Sequence, residues 1–440
     1  MKTSIPAGGV IGAGYWGKNL VRNFHHLDDL ATICDSDPDR LSRYEEPYPQ
    51  VPKRLAYSDV LRDSSIQAVA IATRAETHYS LVKDALLAGK DVLVEKPLCL
   101  REEEAAEVVA LASERGQVLM VGHLLRCHPA FVKLQELVQT GELGRVYYIY
   151  SNRLNLGRIR REENILWSFA PHDVSAILAL AGEMPQTVVS RGGNYLHEHI
   201  TDVSVSVLEF ATGLRAHIFV SWLHPYKEQR LVVVGDRRMA VFNDVSPAGQ
   251  KLLLYPHQIE WQSHVPNPHR AEAVPVAVGE TEPLRLECQH FLDCVSTRST
   301  PVTDGEEVRR VLQVLNACQW SLDQGKVISL AVVHSVTVAE ERSRVLEELG
   351  LEPGGYLLAT VHRPNNADDG DNLGSIMRAF DALDETVEAG WNTLVGADAE
   401  RIVAAVKGFQ PSDEPSDLFG DGRASQLIVA HLDGWEGTRQ

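Results

Sequence analysis

The stretch Val10-Ile11-Gly12-Ala13-Gly14-Tyr15-Trp16-Gly17 constrains this chain more than any other. An apolar strand runs into G-x-G-x-x-G, and a helical pattern over 18–24 follows. In such a unit Gly12 makes the tight turn, Gly14 lets backbone approach a pyrophosphate, and Gly17 lets the helix pack on the strand. The helix start adds free N–H groups and a positive dipole end for phosphates. A purely structural βαβ turn could carry the same glycines. Against it, a second strand over 30–34 ends in Asp35, about twenty residues on, where a dinucleotide site places a carboxylate on the ribose hydroxyls. That carboxylate repels a 2′-phosphate, so NAD is expected over NADP.

From residue 7 to about 122, strand and helix patterns alternate, which predicts a parallel sheet covered on both faces. Strands are expected over 68–72, 91–94 and 118–121, and helices over 80–88 and 102–115. Thr73, His78, Glu95 and Lys96 then fall at or just after strand C-termini, on the glycine-loop edge where ligands bind. Beyond Gly122 the pattern changes. A helix is expected over 129–140, another over 171–180 and a third over 306–324. Between them β-rich runs over 146–151, 187–191, 203–210, 215–222, 231–234, 240–242 and 251–255 predict a mostly antiparallel sheet with one covered face. The domain reading is 5–122 for an α/β Rossmann domain, 123–330 for an α+β domain and 331–440 for a degenerate α/β extension.

Totals narrow the class. Residues 331–440 hold 20 acidic and 8 basic side chains, so −12 of the −18 net charge lies there and marks a separate module. An acidic chain without a basic surface is a poor nucleic-acid binder. No apolar run approaches the ~18 residues of a membrane span. The first strand begins so close to Met1 that a leader has no room, and six scattered cysteines suit a reducing compartment, so a cytoplasmic location is expected. Cys288, His290 and Cys294 sit on an expected helix over 286–295, and no metal is assigned to them.

Three clusters carry candidate chemistry. Lys96 follows a buried strand and precedes Pro97. Burial and a cationic nicotinamide would both lower its pKa toward a range useful for proton transfer, and Glu95 beside it could orient it. Trp167-Ser168-Phe169-Ala170-Pro171-His172-Asp173 places a proline where it suits a first helical turn. His172 and Asp173 are therefore expected at a helix start, where the dipole favours neutral imidazole. The run 152–161 contains Arg153, Asn155, Arg158, Arg160 and Arg161 in an acidic protein. Arginine forks match phosphate and carboxylate, so an anion site competes with a plain solvated face.

Together these residues resemble the Gfo/Idh/MocA oxidoreductase family over about residues 5–330. The carriers are the glycine motif, Thr77-His78, Glu95-Lys96-Pro97 and His172. Gly122-His123-Leu124-Leu125, the run 152–157 and the run 166–173 resemble in particular the UDP-N-acetylglucosaminuronate 3-dehydrogenases of bacterial surface-polysaccharide synthesis. The resemblance implies NAD-dependent oxidation of a sugar 3-hydroxyl, with Lys96 and His172 catalytic. It implies cofactor contacts from Gly12, Gly14, Tyr15, Trp16, Gly17, Asp35, Thr73, His78, Glu95, Lys96 and Trp167. Substrate contacts would come from His123, Arg153, Asn155, Arg158, His172 and Asp173. A homotetramer built on the open sheet is also implied. Another sugar nucleotide, a polyol substrate, or a silent dinucleotide-binding protein are the alternatives. Residues 355–363, 385–398 and 420–422 resemble UDP-N-acetylglucosamine 2-epimerases, but the parts carrying that enzyme's acid/base groups are missing. The extension therefore reads as a remnant without epimerase activity.

Overall fold

The computed structural model describes residues 7–330 apart from 158 and 162. Arg158 and the 331–440 extension thus lie outside the described residues.

Six parallel strands form the first sheet: β1 (Ala7–Ile11), β2 (Leu30–Cys34), β3 (Lys53–Arg54), β4 (Ile66–Ile71), β5 (Asp91–Glu95) and β6 (Leu119–Gly122). Their order is β3-β2-β1-β4-β5-β6. This is the doubly wound order, with its switch point between β1 and β4. The connections carry α1 (Gly17–His26), α2 (Pro38–Ser42), α3 (Tyr57–Arg62), α4 (His78–Leu87) and α5 (Glu102–Arg115). Helix α5 opens on three glutamates and stops at Gly116 in the left-handed region, as its dipole and cap chemistry favour. The short elements α2, β3 and α3 were not expected from the sequence.

The second half opens with α6 (Pro129–Gln139), β7 (Val146–Leu154) and α7 (Ile165–Ala181). Then come β8 (Thr187–Gly193), β9 (Val203–Glu209), β10 (Arg215–Ser221), β11 (Glu228–Gly235), β12 (Met239–Asn243) and β13 (Leu252–Tyr255). A hairpin, β14 (Gln258–Gln262) and β15 (Val265–His269), stands as a two-stranded sheet of its own. Its two prolines, Pro266 and Pro268, hid it from a strand reading. The short β16 (Val274–Pro275), then α8 (Pro283–Thr297), α9 (Gly305–Gln324) and β17 (Ile328–Ser329) complete it.

Nine strands form the large sheet, in the order β16-β13-β12-β11-β7-β10-β9-β8-β17. It is antiparallel except where β7 pairs parallel with β10. Ile149, Ala216, Ile218 and Leu208 of its strands pack with Phe131, Ile177 and Val314 of α6, α7 and α9 in one core. The alternate residues, among them Tyr150, Val205 and Phe219, point to the uncovered face.

Two elements depart from chain order. Helix α8 lies on the first sheet's side, with Leu284, Cys288 and Phe291 packed among Leu20, Val21 and Phe24 of α1. After it, Val121 N–H donates to Thr303 O at 2.9 Å, which ties the returning chain to the end of β6. Helix α9 then serves both cores: Val308 and Leu312 join the first sheet's core beside α5 and β6, while Val311 and Leu315 pack under the large sheet.

Helix α7 corrects the expected span of 171–180. It starts at Ile165 with Asn164 as N-cap, and Pro171 lies inside it. Proline removes one i→i−4 bond there, a cost of about 3 kcal/mol in an isolated helix. Burial of Ile165, Leu166, Ala170, Val174 and Ile177 along one stripe outweighs that cost. His172 therefore sits two turns into the helix, beyond reach of the N-terminal dipole. Among the described residues no helix is long and apolar enough to cross a membrane.

Candidate active site

At the switch point, Gly12 N–H donates to Cys34 O and Ala72 N–H to Ile11 O, both at 2.8 Å. These bonds hold the three strand ends level. Gly12 adopts φ +89°, and a Cβ there would meet the Ala72 carbonyl at 2.9 Å. A Cβ on Gly17 would lie 1.8 Å from Gly12 O, whereas one on Gly14 would meet only Arg40 Nη1, at 4.0 Å. The space over Gly14 is thus open to a ligand, and the backbone on either side is closed. Asp35 Oδ2 accepts from Ala13 N–H at 2.8 Å and Oδ1 from Asp37 N–H at 3.0 Å. Tyr44 donates to Ala13 O at 2.9 Å, bracing the same loop. Arg40 Nη1 stands 3.6 Å from Asp35 Oδ2. A glycine cradle with a carboxylate at the next strand end fits an adenine dinucleotide.

The cleft that begins here measures about 1730 Å³. A drug-sized ligand needs about 300–1,000 Å³, so a dinucleotide and a second substrate both have room. Gly12, Gly14, Tyr15, Trp16, Asp35, Thr73, His78, Glu95, Lys96 and His172 all line it. Gly17, His123, Arg153, Asn155, Trp167 and Asp173 do not line it. Thr73 Oγ1 bonds Thr77 Oγ1 at 2.7 Å, and His78 Nδ1 lies 2.6 Å from Pro97 O. His78 is buried, and burial lowers its pKa. Trp16 donates through its indole N–H to Glu95 Oε1, closing the loop over the end of β5.

Lys96 Nζ donates to Ser168 O at 2.9 Å, which joins the end of β5 to α7. Burial pushes its pKa below the usual lysine range; Glu163 and Glu95 oppose that push, and Arg160 and Arg153 add to it. His172 is held neutral far below the ordinary imidazole range, first by burial and then by Lys96, Arg153 and His123. Burial and positive neighbours therefore replace the helix dipole as the reason for its neutrality. The His123 ring meets that of His172 edge-on, with centroids 5.7 Å apart. Each has a buried Nδ1 with no hydrogen-bond partner in the protein.

Arg153 and Asp173 engage each other. Nε donates to Oδ2 at 2.8 Å and Nη2 to Oδ1 at 3.2 Å, and Ser151 adds an O–H bond to Oδ1 at 2.6 Å. Trp167 donates its indole N–H to Gln319 Oε1 at 3.1 Å. Asn155 is fixed by its backbone to Ser221 O at 3.1 Å. Sequence reasoning singled out neither Arg40 nor Tyr44 nor Glu163, all of which line the cleft. A cation five residues after the acidic strand end was a usable signal for Arg40. Glu163 had none, since it reaches the site only through the loop before α7. It pairs there with Arg160, Nη1 to Oε1 at 2.9 Å. Among the described residues no group of three or more His, Cys, Asp and Glu side chains is placed to hold a metal.

Comparison with known proteins adds to this geometry. The family profile described as "Oxidoreductase family, NAD-binding Rossmann fold" matches residues 8–123, and the "GFO/IDH/MocA C-terminal domain" matches 131–241. A UDP-N-acetylglucosamine 3-dehydrogenase of Acidithiobacillus ferrooxidans is 28% identical over 315 residues, spanning 69% of this chain and 93% of its own. A scyllo-inositol 2-dehydrogenase (NAD(+)) of Bacillus subtilis is 25% identical over 363 residues, 74% of this chain and 97% of its own. The crystal structure of the Acidithiobacillus enzyme superposes with a TM-score of 0.63 at 24% identity, covering 72% of this chain and 98% of that one.

Proposed function

The chain belongs to the Gfo/Idh/MocA oxidoreductase family, and from that premise we propose that it oxidises the 3-hydroxyl of UDP-N-acetylglucosaminuronic acid with NAD, giving the 3-keto sugar and NADH. The observation that carries this reading is the meeting of Lys96 and His172, both on the wall of the cleft that begins at the glycine loop. A bound nicotinamide supplies the acceptor for the hydride that leaves C3. The chain's own residues handle the proton. Lys96 takes it from the hydroxyl, since burial lowers its pKa below the ordinary lysine range, in the direction a general base needs. A proton on His172 would be held weakly, so His172 serves as the neutral hydrogen-bonding partner of the same oxygen. Glu95 orients the Lys96 backbone and Trp16.

Asp35 favours NAD, since its carboxylate would repel a 2′-phosphate. Thr73, His78 and the Gly12–Gly17 loop hold the cofactor, and Trp167 and His123 support the wall from behind. The basic run supports an anionic sugar nucleotide. With Arg153 engaged by Asp173, the anion falls to Arg160 on the cleft wall together with Arg158, and Asn155 shapes their loop. A neutral polyol, such as the Bacillus relative's name implies for that enzyme, would need no such basic run. The uncovered face of the large sheet, with Tyr150 stacked on His217 at 5.3 Å beside Val205 and Phe219, supports a homotetramer. The reading keeps the protein in the cytoplasm, away from membrane and nucleic acid, and assigns residues 331–440 no epimerase activity.

The test is NADH formation by purified protein given NAD or NADP with UDP-N-acetylglucosaminuronic acid or UDP-N-acetylglucosamine, in the presence of a keto acid in a parallel run to recycle retained cofactor. Turnover with the uronic acid and NAD is expected, with the neutral sugar and NADP at least about tenfold poorer in kcat/KM, about 1.4 kcal/mol. Equal turnover of both sugars removes the anion-reading role of the arginines. Turnover of neither by folded, NAD-bound protein removes the substrate assignment.

A further inference from the structure

Behind the cleft a single carboxylate oxygen joins the two segments that carry the histidines. Glu307, in the first turn of α9, is 5% exposed. Its Oε1 accepts from Arg126 Nη1 at 3.1 Å and from the Ser175 hydroxyl. Arg126 lies three residues after His123, in a 3₁₀ turn closed by Arg126 N–H donating to His123 O at 2.8 Å. Ser175 lies three residues after His172, one helical turn on along the same side of α7. Ser175 is buried and the Arg126 side chain is only 9% exposed, so water competes little with either bond. Asp304 Oδ1 caps Glu307 N–H at 2.8 Å and fixes the carboxylate's own backbone.

Helix α9 also grips α7 from the other end. Gln319 Oε1 accepts from Asn164 Nδ2 at 2.8 Å and from the Trp167 indole at 3.1 Å. His172 is thus bracketed along α7, between residues 164–167 on one side and Ser175 on the other, by two side chains of one helix. That helix packs into both cores.

We infer that Glu307 is a positioning residue for the proposed reaction: by holding Arg126 and Ser175 on one oxygen, it sets the spacing of the His123 and His172 rings. Glu307 does not line the cleft. It acts on where His172 stands relative to Lys96. The inference rests on the role given to His172 above.

Three variants and a control test it. Ser175→Ala removes one arm and leaves no buried charge unpaired. Glu307→Gln keeps an oxygen acceptor for both arms and should retain more activity than Glu307→Ala. Asp91→Asn is the stability control: it loosens the half-exposed ion pair with Arg298 and the buried bond from Val118 N–H at the far end of β5. An ångström of misplacement costs about a hundredfold in rate, so Ser175→Ala is expected to lower kcat by about tenfold or more, with KM and NAD affinity near wild type. Asp91→Asn should lower the melting temperature and leave kcat alone.

A readout free of substrate accompanies the kinetics: the rate of His172 carbethoxylation by diethyl pyrocarbonate, followed by peptide mass. It should rise severalfold in Ser175→Ala and Glu307→Ala and stay at the wild-type rate in Asp91→Asn. Wild-type kcat together with a wild-type His172 rate in both Ser175→Ala and Glu307→Ala would overturn the inference. If His172→Gln keeps full turnover, or no sugar nucleotide is turned over, the functional reading fails instead. The carbethoxylation rates then decide on the clamp by themselves.

Discussion

Replacing Lys96 with alanine is expected to lower turnover by about 10²–10⁴-fold, the range that a positioned acid–base group contributes, while NAD still binds. In the proposed reading the glycine loop and Asp35 hold the cofactor's phosphates and ribose, so removing the lysine side chain leaves those contacts in place. The lysine stands instead at the end of β5, bonded to Ser168 O. The pH dependence carries the same signature. Burial lowers the Lys96 pKa from 10.5, so kcat/KM should rise with pH along one ionisation centred below that value. His172, neutral throughout, adds no limb above pH 6.5. His172→Gln should lower the plateau and leave the limb in place. Stability has a definite sign too. Between the lowered folded pKa and 10.5 the unfolded chain binds more protons, so the buried lysine destabilises the fold as pH falls through that window. Lys96→Met should therefore be no less stable than wild type near neutral pH, which separates a catalytic loss from a folding loss. Retained turnover in Lys96→Ala would remove the lysine from the chemistry.

The glycine loop gives the second large effect, through a contrast. Gly17→Ala puts a Cβ 1.8 Å from the backbone oxygen of Gly12. Neither atom can swing away, so α1 must lift from β1. Overpacking of this kind costs about 1–3 kcal/mol, or roughly 2–4 °C per kcal/mol in a domain of this size, and it disrupts the phosphate cradle as well. Gly14→Ala meets nothing closer than Arg40 Nη1 at 4.0 Å. It should leave the melting temperature unchanged and still weaken NAD by more than about tenfold, or about 1.4 kcal/mol, because its methyl fills the space of the pyrophosphate. Thermal scans and calorimetric NAD titrations of the two proteins check both halves. Wild-type NAD affinity in Gly14→Ala would place the dinucleotide elsewhere.

The first sheet was legible because each of its signals is local. Helix α5 was expected over 102–115 and ends there because Gly116 sits where a left-handed residue is needed. The glycine loop, Asp35, Glu95 and Lys96 are likewise placed by strand ends that hydrophobic runs announce. Signals that depend on distant parts of the chain were harder to read. Pro171 looked like a helix start because local chemistry favours proline there, and only packing on α9 and the large sheet carries the helix through it. Asp173 and Arg153 were expected as substrate groups, and their pairing with each other was not legible, because it depends on how β7 packs against α7. Glu307 is 135 residues from His172 in sequence and had no motif to mark it. The hairpin β14–β15 was hidden by its prolines, and the parallel pairing of β7 with β10 by an alternation that antiparallel strands share.

The central claim is that Lys96 and His172 work on one carbinol carbon, C3 of the uronic acid. UDP-N-acetylglucosaminuronic acid bearing deuterium at C3 tests it most directly. Protein is incubated with this substrate and NAD, and the reduced cofactor is recovered and weighed by mass spectrometry. Transfer of the label, giving NADH heavier by one mass unit, and a slowed kcat/KM are the results expected. Unlabelled NADH, with the deuterium still on the sugar, would mean that another carbon is oxidised and would contradict the account.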